Sequence, residues 1–202
     1  MLVRRLFLIG LSSLALSACG GNLIGPPDAS PMYMVAPKFA AQPAGGEKVK
    51  WALSILRPYV APGLDTDRIA LTQADGTMDY YANAAWPDQL PQLLHNLLIE
   101  AFEESGKIAS VSKDGANVHA DFLLQIDIRD FEAQYTVADT APKILLRMEA
   151  KLIRNRQIVS SLDATQEAQT AANSVPSVVA AFNQALAAAL SQIVTWTLRT
   201  GG

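Results

Sequence analysis

The residue with the most specific chemistry in this sequence is Cys19, the only cysteine among 202 residues. It closes the run Leu16-Ser17-Ala18-Cys19, which is the pattern of a bacterial lipoprotein signal. In such a signal the thiol takes a diacylglyceryl group, the chain is cleaved before the cysteine, and the new amino group is acylated. Each buried methylene of an acyl chain contributes about 0.8 kcal/mol, so several chains anchor more firmly than one. We therefore predict that Cys19 is lipidated and begins the mature chain.

The residues before Cys19 have the parts of a secretory signal. Arg4 and Arg5 form a positively charged region, and the apolar stretch 6–16 follows them. That stretch of 11 residues is shorter than the roughly 20 residues that a membrane-spanning helix needs. We predict a signal peptide over residues 1–18.

The sequence after Cys19 is rich in glycine and proline up to about residue 30. This composition is typical of a flexible linker, so we predict a tether over 19–30 and one folded domain over 31–200. Gly20 stands where the enterobacterial sorting rule places an aspartate in lipoproteins retained in the inner membrane. The predicted location is therefore the periplasmic side of the outer membrane, with the inner membrane as the alternative.

No group of residues in the remaining chain has the composition of a catalytic or metal site. His95 and His119 are the only histidines, and neither has a second histidine or cysteine at ligand spacing. Aspartate and arginine residues near 65–68 and 127–130 are typical of the charged surface of a strand. We predict that the protein is not an enzyme and that it binds no metal and no cofactor.

The composition supports a folded domain without a nucleic-acid function. Half of the residues are hydrophobic and 17% are charged, which is too apolar for a disordered chain. Without Arg4 and Arg5 the chain has 14 basic and 19 acidic residues, a net charge of −5. No basic run is present, so nucleic acid is excluded as a partner.

Alternation of apolar and polar residues predicts a sheet with one buried face. The alternation is longest in the last three predicted strands, and turns such as the one at Asn155 separate them. Because alternation of this length means one buried and one solvated face, the sheet should be largely antiparallel. Asp75-Gly76 predicts a hairpin between two earlier strands. The predicted strands are 31–37, 49–56, 68–72, 77–81, 122–129, 144–152 and 158–164.

Two helices are predicted, at 87–105 and 175–198, with Gly106 ending the first. The second has an apolar stripe at steps of three and four residues and no charged residue. A stripe of this kind is typical of a helix laid across a sheet; a membrane span is the alternative, but the polar side of the helix argues against it. The fold class is therefore α+β: a single domain with a largely antiparallel sheet covered by two main helices. The stripe consists of Val175, Val179, Phe182, Leu186, Ala189, Ile193 and Trp196.

The alanine-rich flanks of the second helix suggest a further hypothesis. They are neutral and small, so they could pack against another protein. Charged substitutions at Ala181 or Ala188 would test this. The flanking alanines are Ala180, Ala181, Ala185, Ala187 and Ala188.

Several segments resemble the ABC-type transport auxiliary lipoproteins, the PqiC-like family. The resemblance covers nearly all of residues 30–200, and its motifs are structural rather than catalytic. The matching segments are 33–35, 64–69, 78–86, 90–91, 120–122 and 179–185, together with Trp196.

The resemblance implies an auxiliary role in lipid transport. In such systems an ABC transporter works with an MCE-domain protein to move lipids between the inner and outer membranes, and the lipoprotein docks to the MCE protein. The implied partners are therefore the MCE-domain protein, the ABC transporter components, outer-membrane lipid through the acyl anchor, the transported lipid, and further copies of this chain. Candidate partner-contact or packing residues are Tyr80, Tyr81, Trp86, Phe182 and Trp196.

Two other interpretations stay open at this point. The chain could be a structural outer-membrane anchor that never contacts lipid, or an assembly lipoprotein or enzyme of another periplasmic system. Neighbouring genes would separate the transport and anchor interpretations from the last one.

Overall fold

The computed structural model describes residues 30–39, 48–114 and 119–202. The predicted signal peptide, most of the predicted tether, and Cys19 lie outside these residues. The elements, in chain order, are β1 (Val49–Ile55), β2 (Tyr59–Val60), β3 (Arg68–Thr72), β4 (Met78–Ala85), α1 (Leu90–Ser105), β5 (Ile108–Lys113), β6 (Phe122–Gln134), β7 (Lys143–Arg154), β8 (Gln157–Gln169) and α2 (Val175–Thr200).

The strands with the longest alternation form an antiparallel meander of β6, β7 and β8. On its buried face Leu124 pairs with Leu152, and Ile126 pairs with Ala150. The turn between β7 and β8 is tight because Asn155 and Arg156 both have positive φ, 51° and 64°, as a two-residue hairpin turn requires. The predicted turn at Asn155 is confirmed.

The other edge of β6 is occupied by strands that run parallel to it. Leu53 of β1 pairs with Phe122, Tyr59 of β2 with Asp127, and Leu71 of β3 with Ala133. β5 is also parallel to β1, while β3 and β4 form the predicted hairpin around Gly76. The fold is thus the predicted single α+β domain, and its sheet is mixed, partly parallel rather than purely antiparallel.

Both helices pack on the buried face of the sheet. α1 begins at Leu90 rather than at residue 87, because the backbone N–H groups of Trp86 and Leu90 donate to carbonyls of Asp67 and Thr66 in the loop before β3. It ends at Gly106, whose φ is 63°, as predicted. α2 packs on β7 and β8, and its stripe is buried except at Val175, which is half-buried.

α2 has the length and the apolar composition of a membrane-spanning helix. In this fold its apolar stripe is instead buried against the sheet, which confirms the prediction of a core-facing helix. The burial also divides the alanine-rich flanks. Ala181 and Ala185 belong to the core, whereas Ala180 and Ala188 are exposed.

The opposite face of β6, β7 and β8 is not covered by either helix. We call it the open sheet face; its side chains alternate with the buried ones and include Gln125, Asp127, Arg147, Glu149 and Lys151. The strands therefore have one buried apolar face and one face that contacts solvent, as the sequence pattern predicts.

The amino-terminal segment 30–39, which we call the strap, was predicted as a strand over 31–37, and this prediction is wrong. Only one bridge forms, between Met32 and Ala85. The Tyr33 N–H donates to the Ala85 carbonyl, and the Ala85 N–H donates to the Pro31 carbonyl. Proline has no N–H to continue a ladder, so the segment binds as a strap rather than as a ninth strand.

Candidate functional site

Trp86 and Phe182 meet at the junction of β4, α1 and α2. The Trp86 ring is 1% exposed and packs edge-on against Phe131 and Phe182, with ring centroids 6.1 and 5.3 Å apart. Phe131 and Phe182 stack on each other at 4.8 Å. Aromatic contacts of this geometry stabilise beyond the area they bury. The cluster therefore fixes α2 and the start of α1 relative to the sheet.

Tyr81 belongs to a short chain of hydrogen bonds. The Tyr135 hydroxyl donates to Asn173 Oδ1 at 2.7 Å, so it accepts from the Tyr81 hydroxyl at 2.9 Å. Burial, followed by the hydrogen bond to Tyr135, raises the pKa of Tyr81 above its ordinary value. Tyr81 is therefore a neutral donor that links β4 to the loop before α2.

Tyr80 is half-buried and has a different set of contacts from Tyr81. Its hydroxyl donates to the Gly63 carbonyl at 2.8 Å, and the Arg68 guanidinium lies 4.0 Å from the centre of its ring. These contacts hold the short 3-10 turn Pro62–Leu64 against β4. Tyr80 thus presents a cation–π pair at the surface.

The five aromatic residues predicted from the sequence do not form one site. Trp196 is 8% exposed and lies fourteen residues after Phe182 on α2, which is about 21 Å along a helix. The sequence pattern also missed Phe131 and Tyr135. A register shift between Ile128 and Asp130 breaks the alternation that would have placed them on the buried face.

The strap crosses α2 next to the aromatic cluster. The Ala36 N–H donates to Asn183 Oδ1 at 2.9 Å, Val35 is 6% exposed, and Pro37 is buried. Met32 and Met34 alternate with Tyr33 and Val35 and are each 69% exposed. The first described residues of the chain are thus fixed to the domain before it enters β1.

We predict that Asn183→Ala loosens the strap without unfolding the domain. The loss of one hydrogen bond should cost about 0.5–1.5 kcal/mol and raise the exchange rates of the Tyr33 and Ala36 amides. Hydrogen exchange measures both. Gln184→Ala is the matched control, because residue 184 is exposed beside Asn183. Unchanged exchange in Asn183→Ala would contradict a clamping role for this side chain.

The open sheet face holds a network of ion pairs. Lys151 Nζ lies 2.7 Å from Asp127 Oδ2 and 3.4 Å from Glu149 Oε2, and Glu149 also accepts from Arg129. Burial works to raise the pKa of Asp127, but hydrogen bonds from Lys151 and Gln125 outweigh it and hold that pKa below its ordinary value. The Arg129 hydrogen bond lowers the pKa of Glu149. At physiological pH the acidic and basic side chains of this network are therefore charged and paired with each other.

The two histidines differ in their surroundings. His95 is 4% exposed and its Nε2 donates to the Ile55 carbonyl at 2.8 Å. The same Nε2 lies 3.8 Å from Asp114 Oδ1. His119 is exposed near Asp121. Within the part of the chain that the structure describes, no group of three or more histidine, cysteine, aspartate or glutamate residues could hold a metal ion.

The chain matches a known protein family over most of its length. The model of the ABC-type transport auxiliary lipoprotein component family matches residues 33–194. This covers most of the chain, so the chain belongs to that family, and the resemblance in the sequence is confirmed. The family is described by its role in transport and is not an enzyme class.

Two solved structures share this fold, and one of them is also similar in sequence. Protein XCC0632 from Xanthomonas campestris is 31% identical, and its crystal structure matches with a TM-score of 0.78 over 85% of this chain and 96% of that chain. A second solved structure, of an uncharacterized protein, is 14% identical and shares the fold, with a TM-score of 0.59 over 78% of this chain and 97% of that chain.

The curated relative is an uncharacterized protein from Bradyrhizobium diazoefficiens, 25% identical over 148 residues. The match covers 73% of this chain but 39% of that protein. The chain therefore spans about two fifths of the length of this relative.

Proposed function

We propose that this protein is the auxiliary lipoprotein of an ABC transport system that moves lipids between the inner and outer membranes together with an MCE-domain protein. Acyl chains on Cys19 hold it on the periplasmic side of the outer membrane, and its domain docks to the MCE protein. The observation that carries the proposal is the family match over 33–194. The lipoprotein pattern that ends at Cys19 supports the anchored location.

The geometry of the domain agrees with a role in docking. The aromatic cluster of Trp86, Phe131 and Phe182 fixes the helices relative to the sheet, whereas the open sheet face and the exposed side of α2 are available for contact. Further copies of this chain are a proposed partner as well. Crosslinkers placed at Thr165 on the open sheet face and at Ala188 on α2, both of which are exposed, would identify the surface that contacts the MCE protein.

We predict that Cys19→Ala separates anchoring from docking. The wild-type chain should sediment with membranes and carry a diacylglyceryl mass on a first peptide that begins at Cys19. The variant has no thiol at this position, so it should lack that mass and keep residues 1–18 uncleaved. Fractionation and mass spectrometry measure both. A variant that is still acylated and still cleaved before residue 19 would contradict the assignment of Cys19.

Affinity purification tests the docking step. When the chain is purified from cells that also express the MCE-domain protein and the ABC components, the MCE protein should be recovered with wild type and with Cys19→Ala. Failure to recover it with either form would overturn the docking proposal. Native mass spectrometry of the same sample distinguishes transport from a structural anchor, because co-purifying lipid is expected only for the former, and it also counts the subunits.

A further inference from the structure

One end of the open sheet face is apolar, unlike the rest of that face. Leu123, Ile153 and Ile158 are direct cross-strand partners on β6, β7 and β8. Leu123 is 36% exposed, Ile158 is 59% exposed, and Ile153 is half-buried. We call these three residues the apolar row. Direct partners on adjacent strands lie side by side, so the row is a continuous apolar strip at the surface.

Basic side chains border the apolar row. Arg154, Arg156 and His119 line a shallow cleft together with Leu123 and Ile153. Arg154 ends β7 and Arg156 lies in the turn after it, and both are exposed. The Arg154 guanidinium lies 5.2 Å from the centre of the Phe122 ring, on the buried-face side of β6. Positive charge therefore borders one end of the apolar row.

These arginines differ from the basic residues of the open sheet face. Arg129, Lys143, Arg147 and Lys151 each pair with a carboxylate. Among the residues that the structure describes, no carboxylate lies within 4.0 Å of the Arg154 or Arg156 guanidinium.

The acidic residue of the cleft is already engaged by the backbone. Asp121 Oδ2 accepts from the Ala52 N–H at 2.8 Å, and the Asp121 N–H donates back to the Ala52 carbonyl. The cleft thus has positive charge that its own carboxylate does not pair with, in a mature chain whose net charge is negative. Its electrostatic complement is an anionic ligand.

We infer that this end of the domain is a contact surface for an anionic phospholipid bilayer. The apolar row lies among the lipid headgroups and upper acyl chains, and Arg154 and Arg156 bind lipid phosphates. Apolar side chains with an adjoining basic rim are the composition of proteins that lie in a membrane interface, and guanidinium groups bind phosphate through paired hydrogen bonds.

The proposed acyl anchor favours a bilayer over an acidic protein as the occupant. The twelve residues from Cys19 to Ser30 reach at most about 40 Å when extended. A domain held within that distance meets the bilayer at a high effective concentration, so a weak contact is populated. Only this step depends on the anchor; the exposed row and the arginines do not.

The test uses the chain from Gly20 onward, without acyl chains, so that only the domain can bind. All the buried hydrophobic residues of the described core lie between Val35 and Trp196, so this chain retains that core. Its flotation is measured with vesicles of phosphatidylcholine alone and with vesicles that also contain phosphatidylglycerol. We expect flotation only with the anionic vesicles, and its loss at high salt.

Matched variants identify the surface. Arg154→Gln with Arg156→Gln should reduce binding at least about tenfold, and Ile158→Ser should reduce it as well. Arg129→Gln with Arg147→Gln removes the same charge from ion-paired positions on the open sheet face and should leave binding near wild type. Thermal unfolding checks that every variant is folded.

Three results would overturn the inference. They are equal flotation with both vesicle types, an equal loss in the control pair, and no flotation with any vesicle. The last result, combined with binding of an acidic protein that the two arginine substitutions abolish, would assign the surface to a protein partner. Because no transport component is present, failure here would leave the proposed transport function untouched.

Discussion

Trp86→Ala should lower the free energy of unfolding by about 3–5 kcal/mol, the usual cost of deleting a large buried aromatic side chain. Trp86 is 1% exposed and contacts both Phe131 and Phe182, so its loss leaves a cavity between the sheet and α2. For a domain of this size the melting temperature should fall by about 6–20 °C. Chemical and thermal unfolding measure the change.

Tyr59→Ala is the control for this experiment, because Tyr59 is a large aromatic residue that is 62% exposed. It should change stability by no more than about 0.5 kcal/mol. A double-mutant cycle with Phe182→Leu should give a coupling of about 0.5–1.5 kcal/mol, since the rings touch. A Trp86→Ala variant as stable as Tyr59→Ala would contradict the role assigned to the aromatic cluster of Trp86, Phe131 and Phe182.

Ala181→Glu should destabilise the domain by about 3 kcal/mol or more, because it places a carboxylate in the core. Ala181 is 4% exposed, and burial raises the pKa of a carboxyl group above its unfolded value. The penalty is therefore present above the folded-state pKa and declines as the pH falls towards the unfolded-state value. Unfolding curves at neutral and acidic pH test both statements.

Ala188→Glu is the matched substitution on the same helix. Ala188 is exposed, so the change should alter stability by no more than about 0.5 kcal/mol. It is the variant that tests whether the neutral flank of α2 contacts a partner. If Ala188→Glu still binds the MCE protein, that hypothesis is wrong. Ala181→Glu cannot test it, because this variant would lose the partner by unfolding.

The elements that the sequence predicted well are those whose burial is regular. β7, β8 and α2 keep a period of two or about 3.6 residues over long stretches, and β6 keeps a period of two up to its register shift after Ile128, so local pattern and final environment agree there. β2 and β5 were missed: β2 has two residues, and β5 buries only Ile108 fully. Such strands are stabilised by their neighbours in the sheet rather than by a pattern of their own.

The sequence identified candidate aromatic residues but did not predict which of them contact each other. Trp86 and Phe182 come together although 96 positions separate them in the chain, while Trp196 lies at the other end of α2. The apolar row at Leu123, Ile153 and Ile158 gave no signal, because each residue alone resembles an ordinary strand residue. Pairing across three strands is what makes it a surface.

The sequence by itself determined the lipoprotein pattern at Cys19, the α+β class and the apolar faces, because these depend on residue type and short-range spacing. The tertiary structure decided the parallel pairing along β6, the division of the α2 alanines into buried and exposed, and the grouping of Arg154 and Arg156 with the apolar row. These features depend on which distant segments pack together, and the free energy of that packing is shared among many residues rather than encoded in any one segment.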